Sequence, residues 1–217
     1  MLQKEKWDIV TLQQVSKFSF KPETYEPYFG NLYAYVKQYA PQAEIVVQMT
    51  WSYREDHEAF PGWDLKDQQE MYHKLYGAYT AIAAKYQCRL IPSGMAVHMA
   101  RQQQPTPAPI IKYDMASFKH PNRPDEPEGY FIGCYFWRKE KDGSRSLGVD
   151  QIHLNDRGRY LQACVWYATL YGRPTSEISY LTKGLSPDDG AFLRQIAQQA
   201  VDAMKKDQLA GSVTTEQ

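Results

Sequence analysis

The chain has 217 residues, with 25 Lys plus Arg against 25 Asp plus Glu, enough to bury one sizeable core and a better fit to one α/β domain than to two. A formal net charge of zero, with no Lys/Arg cluster on any predicted face, excludes the electrostatic footprint of a nucleic-acid binder. No apolar run approaches the roughly 18 residues of a membrane span, and Met1-Leu2-Gln3-Lys4-Glu5-Lys6 has no apolar stretch behind it to make a signal peptide.

Within Trp7 to Gln13, Ile9-Val10-Thr11-Leu12 is apolar and β-branched without a helical period, which predicts a short buried strand. A helix is expected from Thr24 or Pro27 to Tyr39, closed by Ala40-Pro41. Glu44 to Trp51 predicts a second buried strand. From Asp67 to Tyr86, Met71, Leu75, Ala78, Tyr79, Ile82 and Tyr86 recur at steps of three and four, the pattern of an amphipathic helix. Arg89 to Pro92 is a third strand, and Ser93-Gly94 turns the chain into a helix over Met95 to Gln103. Three β-α units in succession imply parallel pairing, so the predicted class is α/β with a flavodoxin-like sheet.

Residues 104–129 are proline-rich and aperiodic, an irregular surface excursion. Tyr130 to Arg138 and Arg145 to Val149 flank Lys141-Asp142-Gly143-Ser144 and predict a hairpin. Residues 104–149 are therefore expected to form an insertion that walls or lids the segment beginning at Asp150. Asn155 is the N-cap of a helix through Tyr171, stopped by Gly172-Arg173-Pro174. Ser186-Pro187-Asp188-Asp189 opens a last helix with cap, N1 proline and first-turn acids in place, and Leu193, Ile196, Ala200 and Val201 give it an apolar face. One domain is expected over 1–206, with a polar tail, 207–217, that frays.

Asp150 and His153 are the residues best placed for chemistry. They lie in a D-x-x-H-L-N-x-x-G run that reads as a short loop entering a helix. A carboxylate that accepts the Nδ1 proton leaves Nε2 free to take a proton from a hydroxyl, and it also stabilises the resulting imidazolium. A solvated Asp beside a helix-capping histidine is the plainer reading of the same spacing.

No G-x-S-x-G elbow supplies a nucleophile, and Ser93, at a strand-to-helix turn, is a weak candidate. Gln48, Trp51 and Tyr53 fall at the C-terminal end of the second strand, where open α/β sheets bind ligands, either as pocket wall or as core. Glu55-Asp56-His57-Glu58 has a metal-like composition, but adjacent residues cannot converge on one ion as i, i+4 pairs do, so a solvated loop is expected. His73 and His98 look isolated and structural. Cys88, Cys134 and Cys164 are too widely spaced for a C-x-x-C site and read as small buried hydrophobes. Neither a metal nor an organic cofactor is implied.

The run Asp150-x-x-His153-Leu154-Asn155-x-x-Gly158-x-Tyr160-Leu161 resembles the final conserved block of the SGNH (GDSL-type) hydrolases, in which Asp and His complete a Ser-His-Asp triad. Trp7 through Ser16, Pro41 through Ile45, Met49-Thr50-Trp51, Leu90 through Ala96 and Ala163 through Gly172 are similar to a bacterial branch of that superfamily. The resemblance covers most of 5–175 outside the proline-rich insertion, and its specific part is the Asp150/His153 block. It implies a three-layer flavodoxin-like fold and a serine esterase acting on a small-molecule or carbohydrate ester, for example an acyl group on a sugar. His153 would be general base and then acid, oriented by Asp150.

The superfamily's Gly-Asp-Ser or Gly-Asn-Ser turn after the first strand has no counterpart, because Gly30-Asn31 is followed by Leu32 inside a predicted helix. The expectation is a chain lacking its first strand or strands and its nucleophile, through truncation or a reading frame begun too far downstream. Such a chain would be inactive alone and prone to self-association through a bared sheet edge. Where relatives carry a Gly-x-Asn-Asp oxyanion donor, Leu12-Gln13-Gln14 stands here, making Gln13 or Gln14 the candidate donor against an ordinary strand-end hydrogen-bonding role.

Two other readings stay open. One is a non-catalytic carbohydrate- or ligand-binding module in which Asp150 and His153 hydrogen-bond a ligand; the other is an interaction domain whose partner surface is 104–129. As written the chain would stay where it is made, whereas a longer form could be exported.

Overall fold

The computed structural model describes residues 2–213. Three parallel strands, β1 (Ile9–Leu12), β2 (Glu44–Gln48) and β3 (Arg89–Ile91), form a sheet in the order β1-β2-β3. The helices among the described residues are α1 (Tyr28–Tyr39), α2 (Gln68–Lys85), α3 (Ser93–Gln103), α4 (Asp156–Tyr171) and α5 (Pro187–Val213). An antiparallel hairpin, β4 (Ile132–Lys139) with β5 (Arg145–Leu154), precedes α4. The fold is mixed α/β.

β2 is buried on both faces, which is why it reads as an unbroken apolar run rather than an alternating one. Ile45 and Val47 project into a core with Phe29 and Val36 of α1 and Met71, Leu75 and Tyr79 of α2. Val46 projects the other way, with Ile91, onto Val97 of α3, Leu161 and Val165 of α4, and Leu193 and Ile196 of α5. The period of two along one strand thus makes three layers. Among the described residues β1 pairs with β2 alone, and its residues are half-exposed except Thr11, which is exposed.

Three boundaries differ from expectation. β2 stops at Gln48 rather than Trp51, because β3 ends at Ile91, whose carbonyl takes the Met49 N–H at 3.1 Å, and then turns into α3. β5 runs on to Leu154, held by the pairs Cys134↔Asp150 and Ile132↔Leu154. Asp150 and His153 therefore stand on the last turn of a strand and not on a loop. The last helix continues past Asp207 to Val213, because Asp207 accepts a hydrogen bond from Tyr76 Oη (2.5 Å) and Gln208 donates to the Cys88 carbonyl (3.0 Å). The polar tail expected from 207 is therefore helical as far as Val213, and residues 214–217 lie outside the described residues.

Asn155 caps α4 by accepting the Gly158 N–H at 3.0 Å. At Gly158 the helix start presses on the hairpin so closely that an added Cβ would lie 2.3 Å from the Phe131 carbonyl oxygen. Gly158→Ala is therefore expected to cost about 2–3 kcal/mol through overpacking and to lower Tm by several degrees. Gly77→Ala, in the exposed interior of α2 with nothing within 4 Å of the new Cβ, should instead stabilise by about 0.5–1 kcal/mol. Thermal denaturation of the two variants side by side checks the contrast.

Candidate functional site

The D-x-x-H spacing has a local explanation. Asp150 Oδ1 accepts the backbone N–H groups of Ile152 (2.9 Å) and His153 (3.0 Å), closing a turn of the Asx kind at the strand end. With that oxygen fixed, Oδ2 faces the His153 ring and takes its Nδ1 proton at 2.8 Å. An ionised carboxylate can only accept, so Nδ1 donates and Nε2 is left with its lone pair. The Nε2 atom has no partner among the described residues, and the His153 side chain is 73% exposed against 24% for Asp150. Partial burial pushes the Asp150 carboxyl up, but the bonds from the two amides and the ring outweigh it and hold the group below the usual carboxylate range.

The turn is tied to the carboxyl end of the parallel sheet, the end at which open α/β sheets place their ligands. Trp51 Nε1 donates to the Ile152 carbonyl (2.8 Å), the Arg54 N–H to the Gln151 carbonyl (3.0 Å), and Gln151 Nε2 to the Asp56 carbonyl (3.0 Å). Behind them Arg54, 3% exposed, forks onto Asp56 at 2.6 and 2.7 Å and lies across the rings of Tyr130 and Tyr135. Arg101 reaches Ser52 and Tyr53, and its Nε sits 2.9 Å from Glu55 without the alignment of a hydrogen bond.

The stretch expected as a solvated loop is thus largely an anchored one. Asp56 and Glu55 hold arginines, and His57 packs on Tyr53, Phe60 and Trp63 with Nδ1 accepting the Ala59 N–H. Glu58 alone is exposed.

The other sequence candidates separate. Gln14 is committed: its amide donates to Thr24, and its oxygen accepts the Val15 N–H. Gln13, exposed just past the end of β1, makes no side-chain hydrogen bond among the described residues. Gln48, 2% exposed, bonds its own chain and accepts from Ser93, itself 1% exposed, so neither reaches a ligand from solvent. Trp51 is an anchor, and Tyr53 is core.

His73 and His98 are not isolated from one another. Their ring centroids are 5.7 Å apart, and His98 stacks on Tyr72, its pKa pushed down to about 4 by burial and the nearby His73 and Arg101 charges.

Two features carry no sequence signal of their own. Cys134 pairs across the hairpin with Asp150, but burial and the carboxylates of Asp150 and Glu126 push its thiol up, which disfavours the thiolate. Sequence spacing gives no hint of this, since the register depends on the irregularity at Gly133. A groove of about 550 Å³ runs between α4 and residues 177–182, walled by Tyr160, Tyr167, Tyr180 and Ile178 and edged by Asp156 and Arg159. It begins three residues after His153. Among the described residues no serine, threonine or cysteine hydrogen-bonds the His153 ring, and no helix is long and apolar enough to cross a membrane.

Residues 1–106, covering β1 through α3, match a family model described as a domain of unknown function (DUF4886). The chain is also similar to the crystal structure of a DUF4886 family protein from Bacteroides uniformis ATCC 8492, with a TM-score of 0.66 and 24% identity over 92% of this chain and 64% of that one. The likeness is one of fold, and the chain spans less than two thirds of that protein's length. No curated protein matches significantly.

The acidity of Asp150 has a consequence for stability. Its folded carboxyl is more acidic than an unfolded one at about 3.9, so it contributes stability that is complete above that value and lost as pH falls through the lower folded pKa. Asp150→Asn should lose stability at neutral pH and show a shallower decline below about pH 4 than the native chain. Urea denaturation across pH 2 to 7 reads both; parallel acid limbs would contradict it.

Proposed function

We propose that Asp150 and His153 are the base half of a serine-type ester hydrolase of SGNH-like, flavodoxin-like architecture, acting on a carbohydrate or other small ester, with the serine supplied from outside the 217 residues. The observation that carries the reading is the Nδ1–Oδ2 bond at 2.8 Å, which leaves an accessible Nε2 at the carboxyl end of the parallel sheet. A serine hydroxyl placed there would lose its proton to Nε2 as its oxygen attacks the ester carbonyl. The imidazolium would return that proton to the departing alkoxide, and water would repeat the sequence on the acyl-enzyme. Gln13, whose amide is uncommitted at the end of β1, is the candidate oxyanion donor. The family match stops before Asp150, and the likeness to the solved structure supports the α/β frame alone.

A second reading is favoured by the tyrosine-walled groove along α4, whose lining begins at Asp156. Tyrosine faces with nearby carboxylates suit sugar rings, and a chain without a nucleophile could hold a glycan there without cleaving it.

The test is hydrolysis of an aryl acetate and an acetylated oligosaccharide by a form of the protein that includes a serine-bearing strand. His153→Ala should abolish turnover, Asp150→Asn should reduce kcat by about 10⁴, and Gln13→Ala by about 10². Turnover that survives His153→Ala overturns the hydrolase reading. Glycan binding without turnover, weakened by Tyr180→Ala, selects the binding module.

A further inference from the structure

We propose that one face of the β4–β5 hairpin is a sugar-binding platform, on which Phe136 stacks against a pyranose ring and Arg138 donates to its hydroxyls, so that the ester of an acylated glycan is held at His153. The direction in which the ester points rests on the hydrolase reading; the stack itself does not.

Register decides which side chains share that face. Residues directly opposite one another in an antiparallel pair point the same way, and the direction alternates along each strand. Cys134↔Asp150, Phe136↔Gly148 and Arg138↔Ser146 therefore project together, whereas Tyr135↔Val149 and Trp137↔Leu147 project to the other side. The other side is already filled. Tyr135 is buried with the Tyr113 ring 5.6 Å away, and Trp137 meets His120 at 5.6 Å and donates its indole N–H to the carbonyls of Pro121 (3.3 Å) and Asn122 (3.2 Å). The proline-rich stretch thus walls one face of the hairpin, and the face it leaves is the one that carries Asp150.

Phe136 has no core to pack on. It is half-buried and belongs to neither apolar cluster of the fold. Beneath it lies Gly148, where an added Cβ would sit 3.0, 3.3 and 3.5 Å from Cζ, Cε2 and Cε1 of the ring. Glycine at this position lets the ring lie down across the partner strand, covering backbone below and offering a flat apolar surface above, which suits the C–H face of a pyranose. The guanidinium of Arg138 stands 5.6 Å from the ring centroid, on an exposed side chain with no ion pair or hydrogen bond among the described residues. Glu140, the next residue on the same face, is engaged by Ser146 instead. The N–H fork of Arg138 is therefore uncommitted beside the ring, placed to donate to sugar hydroxyls.

Gly148 and Asp150 are two residues apart on β5, about 7 Å along the strand. An acyl group on the stacked sugar, or on the next sugar along, is thereby brought to the exposed imidazole that Asp150 holds. A small ester without a sugar gains nothing from the platform, so the arrangement selects carbohydrate esters.

Titration of the 217-residue chain with acetylated xylotetraose, followed by saturation transfer from protein protonated at phenylalanine rings alone, tests this. The expected result is transfer to the pyranose C–H protons, shift changes at Phe136 and Arg138, and a nuclear Overhauser contact from an acetyl methyl to the His153 ring. Phe136→Ala should weaken binding by about tenfold, and Phe136→Leu, apolar but not flat, should follow it. Phe136→Trp should bind at least as well as the native chain, with circular dichroism unchanged in all three. A stack at Phe136 in a serine-bearing form that hydrolyses nothing supports the platform and overturns the hydrolase reading. The platform is overturned by the absence of binding, or by binding that Phe136→Ala leaves intact. It is equally overturned by binding that Tyr180→Ala abolishes and Phe136→Ala does not, which would put the glycan in the α4 groove.

Discussion

Two backbone N–H groups on one carboxylate oxygen decide the geometry of this molecule's most reactive-looking surface. By accepting from Ile152 and His153, Asp150 Oδ1 removes the freedom of the Asp side chain and of the strand end together, and Oδ2 is left aimed at the imidazole. The ring's orientation and tautomer come from the backbone rather than from a chance meeting of side chains. A three-residue spacing suffices because a turn of this kind spans that distance.

The turn would be of little use if it floated, and the rest of the fold prevents that. The hairpin carries β5 to Leu154, Asn155 caps α4 at once, and Trp51, Arg54 and Gln151 join the strand end to the segment leaving β2. The buried pairing of Arg54 with Asp56 is a poor source of net stability, since desolvation offsets most of the attraction. Its value here is geometric: the paired and ring-stacked guanidinium leaves its own backbone N–H in one place, against Gln151. The fold thus holds an imidazole with an open ring nitrogen at the carboxyl end of its parallel sheet.

Much of the frame was legible in the sequence. Short β-branched and apolar runs within 9–12, 44–48 and 89–91, helical periodicity over 68–85, and the caps at Asn155 and Ser186 mark elements whose driving forces are local. The Asp150/His153 pair was legible for the same reason, because both partners and the backbone between them lie within four residues. What escaped depends on tertiary partners. The strand character of 150–154 comes from β4, and the helical continuation beyond Asp207 comes from Tyr76 and Cys88. The anchoring of Glu55-Asp56-His57 comes from Arg101, Arg54 and Trp63, residues that no local pattern connects to it. Gln14 and Gln48 were attractive by position alone, and their neighbours had already claimed their amides.

The most direct measurement is the tautomer of His153, read by long-range ¹H–¹⁵N correlation on imidazole-labelled protein at a pH where the ring is neutral. The expected result is a protonated Nδ1 and an unprotonated Nε2 in the native chain, reversed in Asp150→Asn, whose amide presents a donor to the ring. A native ring protonated at Nε2, or one that averages both tautomers as a free histidine does, would contradict the claim that Asp150 prepares a base.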